Sequence, residues 1–195
     1  MEKAIVQNDT TKVSRGATAS TDGLALACFC GHFDCVQLLL TSNAAINQPG
    51  KDGITPLIAA CSEGHGDCVQ LLLTSKAAID QPHKNGTTPL YAACMCGHGD
   101  CVQLLLTANA AIDQPGKDGF TPLIAACSEG HGDCVQLLLT CNAAIDQPGM
   151  DGFTPLIIAC AQGNGGCVQL LLTANAAINQ PGRDGTTPLI IACTQ

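Results

Sequence analysis

KDGITPLIAACSEGHGDCVQLLLTSKAAIDQPH, residues 51–83, is one period of a pattern that runs through the chain. Its D-G-x-T-P-L opening at Gly53 returns at Gly86 (as N-G-T-T-P-L), Gly119, Gly152 and Gly185, always at the same spacing. A fixed period of that size means stacked copies of one supersecondary unit, none of which can bury its apolar face alone. Copies of similar completeness begin at Lys84, Lys117 and Met150, while an earlier one is worn, with TDGLALAC at 21–28 where ITPLIAAC stands at 54–61.

Within a unit the local signals predict two helices and a loop. Thr55 is placed to cap a helix that has Pro56 at its first position, where the missing N–H costs nothing. Leu57, Ala60 and Cys61 follow at helical spacing, and Gly64 ends this short helix. Asp67 then precedes a second helix, CVQLLLT, and reads as its cap, with Val69, Leu72 and Leu73 as core candidates. That helix should end near Lys76, a position held by Asn43, Asn109, Asn142 and Asn175 in the other copies, as a left-handed terminal residue favours. The remaining AAIDQPHKNG, residues 77–86, is turn-forming, with Pro82 and Gly86 excluding a continued helix.

T-P-L, then G-H, then a Leu-rich helix, then Ala-Ile-Asp/Asn, recurring in fixed register over 17–195, resembles the ankyrin repeat. The resemblance implies an all-α solenoid of stacked helix-turn-helix units joined by hairpin-like loops. The expected units are 17–49, 50–82, 83–115, 116–148, 149–181 and a partial one at 182–195. Residues 1–16 are read as a degenerate cap or half repeat, because EKAIVQ aligns with CVQLLL when Glu2 is set on Cys35. The final segment lacks its second helix, so the chain is expected either to be a fragment of a longer array or to fray at that end. One departure concerns the His that usually follows TPL: Ile58, Tyr91, Ile124, Ile157 and Ile190 replace it, and the loop-to-helix bonding it supplies is expected to loosen.

Composition narrows the function. Apolar residues make up 46% of the 195, yet there is no Trp, one Tyr and four Phe, so the core must be built from Leu, Ile, Val, Ala and Cys. A net charge of −8 is the wrong sign for a general nucleic-acid binder, which needs a basic face to displace counterions. The opening MEKAIVQNDTTKVSRG has no secretory apolar run, and no stretch approaches the ~20 apolar residues that span a bilayer. The expectation is therefore a monomer of the cytoplasm or nucleus, its fourteen cysteines mostly reduced, with no cofactor and no membrane insertion.

CMCGHGDC, residues 94–101, tests that view, since three cysteines and a histidine could be a metal or redox site. Zinc needs about four convergent ligands, but C-x-C on a helix throws its side chains roughly 200° apart. The same slots read CFCGHFDC, CSEGHGDC and CAQGNGGC elsewhere, so most of these thiols fit small core residues. Equivalent cysteines of adjacent units should stay unpaired, because packed helices sit about 8–10 Å apart and a bridge needs Cα atoms within ~7 Å. His32, His65, His98 and His131 sit in the turn between helices, where the resemblance implies bonding to neighbouring backbone; Asn164 replaces the fifth. Phosphate-loop signatures are absent, and Asp67, Asp100 and Asp133 recur evenly rather than forming one asymmetric catalytic cluster. The chain is not expected to be an enzyme.

VQLLLT is identical in all five second helices, whereas variation gathers at the loop tips and the first helices. In ankyrin-repeat proteins these regions line the concave face that holds partners. The partner-binding candidates are Lys51, Lys84, Lys117, Met150 and Arg183 at the tips, with Ile54, Thr87, Phe120 and Phe153 after the turn glycines. Tyr91 joins them, with Glu63, Met95, Cys96, Glu129 and Gln162 at the first-helix ends. Phe120 and Phe153 are expected to be exposed and, with Met150 and Tyr91, to form an apolar strip of the kind that anchors interfaces. The expected function is a scaffold that binds another protein. The alternatives are a metal- or redox-responsive Cys/His-rich protein and the targeting module of a longer enzyme.

Overall fold

The computed structural model describes residues 21–116 and 119–193. The expected cap at 1–16 and the candidate Lys117 lie outside the described residues. The paired helices are α1 (Thr21–Phe29) and α2 (Phe33–Thr41), α3 (Pro56–Glu63) and α4 (Gly66–Thr74), α5 (Pro89–Cys96) and α6 (Gly99–Thr107). They continue with α7 (Pro122–Glu129) and α8 (Gly132–Thr140), α9 (Pro155–Ala161) and α10 (Gly165–Thr173), and then α11 (Pro188–Cys193) alone. First helices pack on first helices and second helices on second helices, giving two parallel rows. Among the described residues there are no strands.

Each first helix starts where Thr and Pro require it to. Thr55, Thr88, Thr121 and Thr154 are buried, and their hydroxyls accept from the N–H three residues on at 3.2–3.3 Å. The threonine cap bond is kept where Ile58, Tyr91, Ile124 and Ile157 replace the usual His. Ile58, Ile124 and Ile157 are buried against it, and the loop before it is closed by backbone bonds such as Gly50 N–H to Ile54 O at 2.9 Å.

Both helix ends close through left-handed residues. Gly64, Gly97 and Gly130 take φ near 78°, and His65, His98 and His131 donate their N–H back five residues at 2.9 Å. The second helices end at Asn43, Lys76, Asn109, Asn142 and Asn175, all with φ of 60–65°. There Lys76 N–H reaches Leu73 O and Ala77 N–H reaches Leu72 O, the paired hydrogen bonds of a Schellman motif. Asp67, Asp100 and Asp133 do not cap the second helices as their position in sequence suggested. The glycine turn delivers the chain into the helix one residue earlier, so His65, His98 and His131 are the capping residues, without side-chain cap bonds. The aspartates sit in the first turn, where their charge complements the positive end of the helix macrodipole.

The core is a column of repeated small side chains. Leu72, Leu105, Leu138 and Leu171 are fully shielded, as are Val36, Val69, Val102 and Val135 beside them. Cys28, Cys61, Cys94 and Cys127 fill the row between first helices. Asn47, Asp80, Asp113 and Asp146 bolt the units together, each accepting the N–H of Ala78, Ala111, Ala144 or Ala177 in the next unit at 2.7–2.9 Å.

Candidate protein-binding groove

Beside α1 the first helices and the second unit's loop enclose a recess. It holds about 400 Å³ and is walled by Ala25, Leu26 and Phe29, by Ala59 of α3, and by Gly50, Lys51, Asp52 and Ile54 of the second unit's loop. Its helix wall is apolar and open: Leu26 is 61% exposed and Phe29 48%. Leu26 occupies the slot held by the buried Ala59, Ala92 and Ala125 in later units. These two residues are absent from the sequence-derived candidates, because the first unit is the worn copy. The signal was available all the same, since Phe29 stands in the first-helix-end slot where Met95 is found.

The candidates separate into two sets. Lys51, Lys84, Met150 and Arg183 are exposed at loop tips, and Glu63, Met95, Glu129 and Gln162 are exposed at first-helix ends. Ile54, Thr87, Tyr91 and Cys96 are half-buried, and Ile54 lines the recess beside α1. Phe120 and Phe153 do not stand out as an exposed strip. Each is half-buried across the glycine that opens the next loop: a Cβ on Gly149 would lie 2.7 Å from Phe120 Cδ1, and one on Gly182 would lie 2.6 Å from Phe153 Cδ1. With only hydrogen at that position, the next loop descends onto the ring, so the aromatics bind loop to loop. Met150 leans the other way, its Cγ lying over Gly119 of the preceding loop.

The turn histidines also work between units. His65 Nε2 lies 3.1 Å from Phe29 O, His98 Nε2 3.0 Å from Ser62 O and His131 Nε2 3.1 Å from Met95 O, each partner lying in the preceding first helix. Asn164 does the same with one amide nitrogen, donating to Cys127 O at 2.8 Å and Ser128 O at 2.9 Å. The neighbouring backbone anticipated from the sequence thus belongs to the unit before. His83 adds a link peculiar to the third loop, with Nε2 3.0 Å from Asp52 O.

The fourteen cysteines are free. Burial is the main reason that Cys28, Cys61 and Cys94 resist ionisation, and it pushes Cys101 and Cys134 up to about 11 with help from the carboxylates of Asp100 and Asp133. The thiol of half-buried Cys96 is also raised, first by burial and then by Glu63 and Glu129. That works against a thiolate nucleophile there. Among the described residues no three His, Cys, Asp or Glu side chains are grouped to hold a metal ion, and no helix is long and apolar enough to cross a membrane.

Stacked helix pairs and closing loops define an α-helical solenoid. The family model for ankyrin repeats in three copies matches residues 5–82, 24–115, 75–148 and 141–195. The chain therefore belongs to the ankyrin-repeat family, whose repeats are generally protein–protein interaction modules and whose members are typically non-enzymatic scaffolds. No curated protein matches the sequence.

Proposed function

We propose that this chain binds another protein along the groove between its loop tips and first helices, without transforming it. The observation that carries the reading is the open apolar wall of Leu26 and Phe29 facing the second loop. Large side chains left exposed together on an otherwise well-packed scaffold mark interaction sites more often than single exposed residues do. The rest of the proposed surface carries graded chemistry: half-buried Tyr91 and Cys96, exposed Glu63, Met95, Glu129 and Gln162 at the first-helix ends, and exposed Lys51, Lys84 and Arg183 at the loop tips. Basic tips on a chain of net charge −8 favour an acidic partner segment and make its capture sensitive to salt. Lys117 belongs to the same rim by its register. The chain acts as a monomer in the cytoplasm or nucleus.

The test is affinity capture with the wild-type chain and with the double variant Leu26→Ser and Phe29→Ser. Both side chains are exposed, so helix content should be kept while the captured partner is lost. A partner retained at full strength by the folded double variant refutes the groove as the binding surface. Lys51→Glu with Lys84→Glu should slow association and flatten its salt dependence.

A further inference from the structure

His83 stands where the other loops have Gly50, Gly116, Gly149 and Gly182, and Asn85 stands where they have Asp52, Asp118, Asp151 and Asp184. The third unit's loop is the one copy that carries both changes, and the two side chains meet. His83 Nδ1 lies 2.6 Å from Asn85 Oδ1, and its Nε2 lies 3.0 Å from Asp52 O of the preceding loop. Gly53 lets the ring approach, since a Cβ there would lie 3.2 Å from Nε2. The carbonyl reached is a recurring anchor between loops: its counterpart Asp151 O accepts the N–H of Arg183 at 3.4 Å.

The partners of the ring decide which charge suits it. The Thr87 N–H can only donate, and it lies 3.0 Å from Asn85 Oδ1, which marks that oxygen as an acceptor. Asp52 O, a carbonyl, can only accept. Both ring nitrogens therefore face acceptors, and the imidazolium ring, with a proton on each nitrogen, satisfies both. A neutral ring has a single N–H. Placed on Nε2, it keeps the bond to Asp52 and leaves Nδ1 to accept the Asn85 N–H at 3.3 Å, but the lone pairs of Nδ1 and Oδ1 then oppose each other and drive Asn85 off Thr87. Placed on Nδ1, it keeps Asn85 and gives up Asp52. Either way the loss of one proton costs the joint one hydrogen bond. The charged groups on the two loops are Lys51 and Asp52 on one side and Lys84 on the other, all exposed. The lysines oppose a further positive charge and Asp52 favours it, but exposed charges are screened, whereas the two ring contacts are direct. An aspartate at position 85 would add a full negative charge beside Nδ1. Asparagine accepts without that charge, so the joint depends on the proton.

We propose that His83 is a proton-operated latch between the second and third units' loops, closed when the ring carries both protons and opened on one side when it loses one. Gly50, Lys51, Asp52 and Ile54 wall the recess beside α1, so the latch sets how firmly that wall is held. Its bearing on partner capture rests on the recess being the binding surface. Histidine exchanges its proton in the range of about pH 5–8, so the latch strengthens as pH falls through that range and weakens as pH rises.

The test compares the wild-type chain with His83→Gly, which restores the residue of the sister loops, in urea melts at the two ends of that range, about pH 8 and about pH 5. His32, His65, His98 and His131 are common to both chains and cancel. The folding equilibrium constant of the wild-type chain should gain about three- to tenfold on that of the variant between those pH values, the worth of one hydrogen bond. Nitrogen-15 NMR should show both ring nitrogens of His83 protonated at the lower pH, with the amide signal of Thr87 or Gly53 moving at the same midpoint. Asn85→Asp should carry that midpoint to higher pH. A wild-type advantage equal at both pH values, or a ring whose titration leaves Thr87 and Gly53 unmoved, would overturn the latch. If His83→Gly fails to fold, the wild-type NMR titration decides it alone. Neither measurement uses a partner, so failure of the latch and failure of the recess as a binding surface are read separately.

Discussion

Replacing Leu105 by Ala probes the register on which the stacking depends. Leu105 lies in α6 of the central unit, is fully shielded, and continues a column whose neighbours Leu72 and Leu138 are equally buried. Truncation removes about three methylene equivalents, worth roughly 2.4 kcal/mol in transfer alone at about 0.8 kcal/mol each. The vacated space is held open by packed helices on both sides, so a cavity cost adds to this and brings the expected loss to about 3–4 kcal/mol, within the usual range of about 2–5. Urea unfolding followed by far-UV circular dichroism measures it. Tyr91, the only tyrosine in a chain without tryptophan, reports independently on the same unit by fluorescence. Leu38→Ala is the control: Leu38 is 54% exposed, and its loss should cost about 1 kcal/mol or less. A Leu105→Ala cost below about 0.5 kcal/mol, or one equal to that of Leu38→Ala, would show that the helix register is wrong. If the Tyr91 signal moves to lower urea than the circular dichroism, the central unit has uncoupled from its neighbours, as a quasi-one-dimensional array permits.

Two other perturbations test the joints between units. His98→Ala removes the bond to Ser62 O and should lower stability by about 1–2 kcal/mol in thermal or urea melts, whereas His98→Asn should keep most of it, because Asn164 performs the same task at the next-but-one joint. Equal damage from both variants would show that the ring itself is what matters. Gly149→Ala drives a methyl to within 2.7 Å of Phe120 and should cost about 1–3 kcal/mol, while Gly165→Ala, with nothing near its Cβ, should be neutral or stabilising by about 0.4–1 kcal/mol. The reverse order in a melting experiment would contradict the aromatic-on-glycine packing of the loops.

The repeat, the helix starts at Thr-Pro and the left-handed stops at Gly64 and Lys76 were legible from the chain alone, because each is a local demand of backbone chemistry that recurs in every unit. Comparing the copies with one another also marked the tips and first-helix ends as the variable surface, and Lys51, Lys84, Met150, Arg183, Glu63, Met95, Glu129 and Gln162 there are exposed. What the sequence could not supply was the relation between units. Phe120 looks exposed when its own unit is considered alone, and is half-buried because the next loop lays Gly149 across it. His98 looks like part of a local turn and instead holds the preceding first helix at Ser62. Periodicity determines the unit, because hydrogen bonding and capping act over a few residues. Stacking alone determines which faces remain open, because burial is a property of the neighbour as much as of the residue.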